Sequence, residues 1–184
     1  MKLLRWYRKL HMRGNFGGLS LLPFAQDISQ LVSEFKSRSL LDYGCGKGLL
    51  ARELDFPIWE YDPAIPGKDN PPRAADMVVC VDVLEHIEPD YLSNVLFDIS
   101  RCTKKVCYLV ISTRPATKTL PDGRNTHLIQ EGRDWWVEKL KEFFVIPDNG
   151  VFDKDSELHI IVSPKELKES REKIIVEKPA LVGA

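Results

Sequence analysis

The residues best placed to do chemistry are the seven of Asp42-Tyr43-Gly44-Cys45-Gly46-Lys47-Gly48. Glycines between an apolar strand and a helix let the backbone approach a ligand closely and take positive φ, so this segment implies a nucleotide-like ligand. The phosphate-binding pattern G-x-x-x-x-G-K-[ST] fails, because Gly46-Lys47 is followed by Gly48 and the leading glycine position holds Leu41. The dinucleotide fingerprint G-x-G-x-x-G fails from Gly44, but Gly46, Gly48 and Ala51 satisfy its looser G-x-G-x-x-A form. A phosphate loop is excluded, and a nicotinamide-dependent reductase stays open.

Groups able to move a proton near neutral pH are few, because the chain has four histidines: His11, His86, His127 and His159. His159 lies in the apolar run Leu158-His159-Ile160-Ile161-Val162 and reads as a strand residue, while His11 belongs to a cationic N-terminal segment. His86 and His127 follow two different apolar runs and are the candidate bases, each with the plain alternative of capping a loop or helix. Asp82, Glu85 and His86 stand at i, i+3 and i+4, one face of a helical turn, and His127 could close a site of mixed carboxylate and imidazole ligands suited to Mg²⁺ or Mn²⁺. The plain alternative makes Glu85 a helix-start carboxylate ahead of Pro89.

These residues need a frame that brings them to one edge. Short apolar runs alternate with stretches of helical period, the pattern of an open, mainly parallel sheet with crossover helices. A helix is expected over 23–35, a strand over 39–43, a short helix to Leu54, strands over 58–62 and 76–81, a helix opened by Pro89, and a strand over 106–111. A long loop spans 112–132, and Trp136, Val137, Leu140, Phe143 and Phe144 then share a helix face. Runs at 144–146 and 158–162 read as a closing strand pair joined through Asp148-Asn149-Gly150. Residues 1–22 form a basic N-terminal segment, 23–163 the domain and 164–184 a charged tail, with 165–178 a solvated helix or disordered.

Composition narrows the classes. With 184 residues, 43% hydrophobic and a formal charge of −1, the chain can bury one ordinary core and lacks the basic excess of a dedicated nucleic-acid binder. Its apolar runs are too short for a membrane span, and Cys45, Cys80, Cys102 and Cys107 form no C-x-x-C pair, so a cytoplasmic protein with reduced thiols is expected. The first 26 residues hold Lys2, Arg5, Arg8, Lys9 and Arg13 and no acid, with Leu3, Leu4, Tyr7 and Leu10 at helical spacing. Such a segment suits anionic lipid, RNA or an anionic acceptor, and Gly14, Gly17 and Gly18 would let it move.

With an acidic residue two positions before three alternating glycines, Asp42 to Gly48 resembles the first motif, (D/E)-x-G-x-G-x-G, of the class I S-adenosylmethionine-dependent methyltransferases. Asp62, closing Trp59-Glu60-Tyr61-Asp62, looks like that family's carboxylate for the ribose hydroxyls, and Asp82-Val83-Leu84-Glu85-His86-Ile87 is similar to the loop beside the methionine part of the cofactor. The resemblance implies a Rossmann-like fold, S-adenosylmethionine bound by Asp42, Gly44, Cys45, Gly46, Gly48, Asp62, Asp82, Val83 and Leu84, His127 facing the acceptor, and residues 1–22 as a lid over the substrate pocket. The Asp82, Glu85, His86 spacing also resembles the E-x-x-E-H metal motif of some RNA 3′-end and quinone-biosynthesis methyltransferases, with Asp82 in place of the first Glu.

One departure from the family is expected. Only the 12 residues 63–74, four of them proline, separate the second and next strands, too few for the usual helix, strand and helix. About 8 or 9 extended residues suffice to cross one intervening strand, so the third strand is deleted. The resulting expectation is a compact methyltransferase acting on a small molecule or a sugar or nucleotide derivative, with RNA as the enzyme alternative. A nicotinamide-dependent reductase and a non-catalytic S-adenosylmethionine-binding partner subunit are the other classes. The acceptor, the methylated atom, the metal and the oligomeric state stay open.

Overall fold

In the computed structural model, residues 2–12 and 23–165 are described. The chain runs α1 (Lys2–Met12), α2 (Ala25–Glu34), β1 (Leu40–Tyr43), α3 (Leu50–Glu53), β2 (Ile58–Tyr61) and β3 (Ala75–Val81). A 3-10 turn (Leu84–His86) precedes α4 (Pro89–Cys102), β4 (Thr103–Ser112), α5 (Arg133–Leu140), β5 (Phe144–Val145), β6 (Val151–Lys154) and β7 (Glu157–Pro164). Among the described residues, seven strands form one sheet in the order β2-β1-β3-β4-β7-β5, with β6 also paired to β7. The β2, β1, β3 and β4 strands are mutually parallel, and β7 runs antiparallel to β4, β5 and β6.

The near-continuous apolar character of β3 and β4 follows from cover on both faces, with successive side chains serving opposite cores. Val78 and Cys80 of β3, with Cys107, Leu109 and Ile111 of β4, pack under Leu92, Leu96 and Ile99 of α4 and Trp136 and Leu140 of α5. Met77, Val79 and Val81, with Val106, Tyr108 and Val110, meet Phe24, Ile28 and Leu31 around α2 and Leu50 of α3. Pro89 takes the first turn of α4, where its missing N–H costs nothing.

The deletion of the third strand is borne out: 62–74 carries no helix or strand, only turns and irregular chain. Asp62 N–H bonds Lys68 O and Ile65 N–H bonds Asp62 O, so the link folds back on the end of β2 before entering β3. Two expectations for the C-terminal half are corrected. Asp148-Asn149-Gly150 leads not into β7 but into β6, an edge strand the pattern missed, and a two-residue turn at Asp155 (φ 51°) and Ser156 (φ 66°) connects β6 to β7. The helix also stops at Leu140, because Phe144 enters β5 and pairs with Pro164. The reading of 165–178, and the hinge glycines 14, 17 and 18, lie outside the described residues apart from Lys165. Among the described residues no helix is long and apolar enough to cross a membrane.

Candidate active site

β1, β2 and β3 end on the same edge of the sheet, and the glycine turn leaves β1 there. Gly44, Gly46 and Gly48 have φ of 83°, 50° and 69°, and a Cβ on Gly44 would overlap the Val83 side chain. The amides of the turn are already engaged: Gly44 and Cys45 N–H donate to Tyr61 O (2.7 and 3.0 Å), Gly46 N–H to Asp62 Oδ2 (2.9 Å) and Gly48 N–H to Cys45 O (2.9 Å). A phosphate needs those donors, so the turn fits a ligand that offers donors and apolar surface instead. Ala51 is exposed, which removes the looser dinucleotide pattern, whose third small residue exists to pack helix against strand.

Acceptors supply what the turn lacks. Asp42 is buried, and neither carboxylate oxygen has a hydrogen-bond partner among the described residues. Burial above all, then the nearby Glu60, pushes its carboxyl up to about 7, against the opposing pull of Lys68. Asp62 is also buried, its oxygens accepting Gly46 N–H and Ala64 N–H (2.8 Å), and His11 Nε2 of α1 lies 3.9 Å from Oδ2. A carboxylate has about four acceptor positions, so Asp62 keeps capacity for two hydroxyls. Glu60, which the motif reading passed over, pairs with Lys68 at 3.0 Å across Gly48.

The next strand ends in a strained residue. Asp82 sits at φ 53°, held by its N–H to Val110 O (3.0 Å), and Val83 packs on Gly44 while Leu84 turns into the core. Glu85 is fully buried: Oε1 accepts Ser112 N–H (3.2 Å), and its main-chain oxygen accepts Leu128 and Ile129 N–H (2.7 and 3.0 Å). It is therefore not a helix-start carboxylate, because it pins the end of β4 and the 113–132 loop. Burial, with Asp82 beside it, holds its carboxyl well above the usual range.

His86 and His127 meet edge to face with ring centroids 4.8 Å apart. His86 Nδ1 is 2.7 Å from Thr126 O, and His127 Nδ1 is 2.6 Å from Arg114 O. A carbonyl only accepts, so both imidazoles carry Nδ1–H, which makes Nε2 the acceptor nitrogen of each ring in its neutral form. Burial lowers His86 to about 4 and keeps it neutral. Glu85, His86 and His127 each offer one ligand atom, all within 4.8 Å of one another, whereas Asp82, expected in the same set, is not in the group. His159 is the strand residue expected, hydrogen-bonded to Tyr108 at 2.8 Å.

The residues just before His127 bond within their own loop: Asn125 spends its amide on Ala116 N–H, Ala116 O and His127 N–H (3.0, 2.9 and 2.8 Å), and the buried Thr126 hydroxyl donates to Lys118 O. Both hold the loop. The residues that pattern reading did not connect to the site are Tyr7 and His11 of α1. Tyr7 OH reaches His86 O and Thr126 O, both at 3.1 Å.

A parallel sheet closed by an antiparallel strand, with a three-glycine turn and flanking carboxylates at its carboxyl edge, defines a class I S-adenosylmethionine-dependent methyltransferase. Residues 21–156 match the family described as "Methyltransferase domain", and the chain belongs to that family. The fold is similar to that of the Burkholderia thailandensis 1,6-didemethyltoxoflavin-N1-methyltransferase, solved with 1,6-didemethyltoxoflavin and S-adenosylhomocysteine (14% identity, 90% of this chain and 88% of that one, TM-score 0.60). It is likewise similar to DhpI in complex with S-adenosylhomocysteine (18% identity, 88% and 95% covered, TM-score 0.57). A protein from Pyrococcus horikoshii OT3 also shares it (14% identity, 78% and 90% covered, TM-score 0.51). No curated protein matches the chain by sequence.

Proposed function

We propose that the chain methylates a small molecule, using Asp42 for the cofactor's ammonium, Asp62 for its ribose hydroxyls and His127 as the base. The observation that carries the cofactor half is the pair of buried, unpartnered Asp42 oxygens beside a turn whose amides are already bonded. When bound, S-adenosylmethionine supplies a methyl group on a sulfonium leaving group, so in-line positioning gives most of the catalysis. Gly44, Cys45, Gly46 and Gly48 shape the floor with their backbone, and Asp82, Val83 and the main chain of Leu84 form the wall beside the methionine portion. His127 Nε2 takes the acceptor's proton while Arg114 O holds Nδ1–H, and His86, kept neutral, backs the ring.

A second reading has its own observation: the Glu85, His86 and His127 group suits a divalent cation, since both imidazoles are anchored at Nδ1 as ligating histidines generally are. Chelator should then abolish turnover and Mg²⁺ or Mn²⁺ restore it, whereas a metal-free base leaves turnover unchanged. Exposed Arg5 and Lys9 on α1 favour an anionic acceptor, with RNA as the macromolecular alternative. We further assign residues 1–22 as a basic N-terminal segment or lid, 23–163 as the catalytic domain and 164–184 as a charged tail, in the cytoplasm, where the four buried free thiols stay reduced. Calorimetric titration tests the reading: S-adenosylhomocysteine should bind and NAD should not, and NAD binding alone would overturn it.

A further inference from the structure

α1 spans both halves of the site. Toward the cofactor edge, Arg8 Nη2 lies 3.4 Å from Pro63 O and from Asp69 Oδ2, and His11 approaches Asp62. Toward the two histidines, Tyr7 stands edge-on to the His86 ring, centroids 5.7 Å apart, with its hydroxyl between His86 O and Thr126 O. Thr126 O also accepts His86 Nδ1–H, so one carbonyl joins α1, the 3-10 turn and the 113–132 loop. The residue after that carbonyl is His127. A phenol has one proton, and here it is shared by two carbonyls 79 and 119 residues away in sequence. If α1 were only an apolar cover, Phe would serve at position 7 without the cost of burying a hydroxyl.

We propose that Tyr7 is a positioning residue for methyl transfer, its hydroxyl setting the separation of the two segments that carry His86 and His127. The inference rests on reading His127 as the base. Without the hydroxyl, Thr126 O loses one of its two side-chain donors, the loop drifts from the 3-10 turn, and the His86 Nδ1–H bond that fixes the tautomer weakens.

Tyr7→Phe in the full chain tests this, because the ring that docks α1 is kept. Long-range ¹H–¹⁵N spectra of the imidazoles, with and without S-adenosylhomocysteine, should show His86 as one Nδ1–H tautomer in the parent and averaged between tautomers in the variant. Exchange of the Leu128 and Ile129 amides should quicken by roughly tenfold, the effect of one lost tie on local opening. S-adenosylhomocysteine affinity should stay within about twofold, since only an interaction on the acceptor side is removed. Identical imidazole spectra and exchange in the two proteins would overturn the proposal, as would a lower melting temperature with unchanged spectra, which marks a purely structural hydroxyl. Failure of S-adenosylhomocysteine to bind either protein would instead sink the cofactor reading, while the ligand-free spectra still decide Tyr7.

Discussion

The two halves of the proposed site are built in opposite ways. The cofactor half is local: seven contiguous residues from Asp42 to Gly48 set both the turn and its principal carboxylate, and Asp62 joins them through Gly46 N–H. The acceptor half is assembled from the turn bearing His86, the loop bearing His127 and helix α1, which share no sequence neighbourhood. A contiguous turn keeps its geometry when the rest of the molecule changes, whereas an assembled site depends on every tie between its parts. Of these two readouts, substitutions in the first half should therefore move cofactor affinity, and substitutions in the second should move turnover.

The largest effect should come from His127→Asn, which keeps a polar side chain but removes the proposed base. Turnover on the acceptor should fall roughly 100-fold or more with S-adenosylhomocysteine affinity within about twofold. A loss of cofactor binding in that variant would break the separation between the halves. Next, Asp62→Ala should weaken S-adenosylhomocysteine binding by about 1.5–3 kcal/mol, the range for a charged hydrogen-bond partner. It should also lower the melting temperature, because Gly46 and Ala64 N–H lose their acceptor. An unchanged dissociation constant would remove Asp62 from the ribose.

Asn125→Ala sharpens the comparison from the acceptor side. Three bonds from one amide hold Ala116 and His127 in place, and their loss should lower turnover about tenfold while leaving cofactor affinity alone, as a displaced catalytic group does. Equal turnover in variant and parent would show that the loop keeps its shape without this amide.

The smallest effect is on stability against pH. Between about pH 4 and 7 the folded chain keeps the Asp42 proton that the unfolded chain has released, so this group's contribution falls as pH rises through that window. His86, lowered to about 4, acts oppositely, since the unfolded chain takes up a proton that the buried ring refuses, and its contribution is lost as pH falls from 6.5 to 4. Asp42→Asn removes only the first, so its melting temperature relative to the parent should be higher at pH 8 than at pH 5. The reverse ordering would mean that the carboxylate is not desolvated in the free protein.

How much was legible in the sequence follows the same division. The glycine turn, the short proline-rich link and the parallel core were readable because each is a local pattern: positive-φ glycines after an apolar run, too few residues for another strand, and two-sided burial of β3 and β4. Tyr7 was hidden because a tyrosine at helical spacing with Leu3, Leu4 and Leu10 looks like part of an apolar stripe, and its hydroxyl's partners are set only by tertiary contact. Glu85 was misread because a carboxylate before Pro89 resembles a helix start, while its partner Ser112 lies beyond α4, at the end of β4. β6 escaped because its turn places Asp155 and Ser156 at positive φ without a glycine to announce it.

The central claim is that an ionised Asp42 holds the cofactor's ammonium, and the dissociation constant of S-adenosylhomocysteine measured from pH 6 to pH 8 tests it most directly. With the carboxyl near 7 in the free protein, the ionised fraction rises roughly tenfold over that interval, so parent affinity should tighten by about the same factor while Asp42→Asn binds weakly and without pH dependence. A parent profile that is flat, or a variant that follows the parent, would contradict the account.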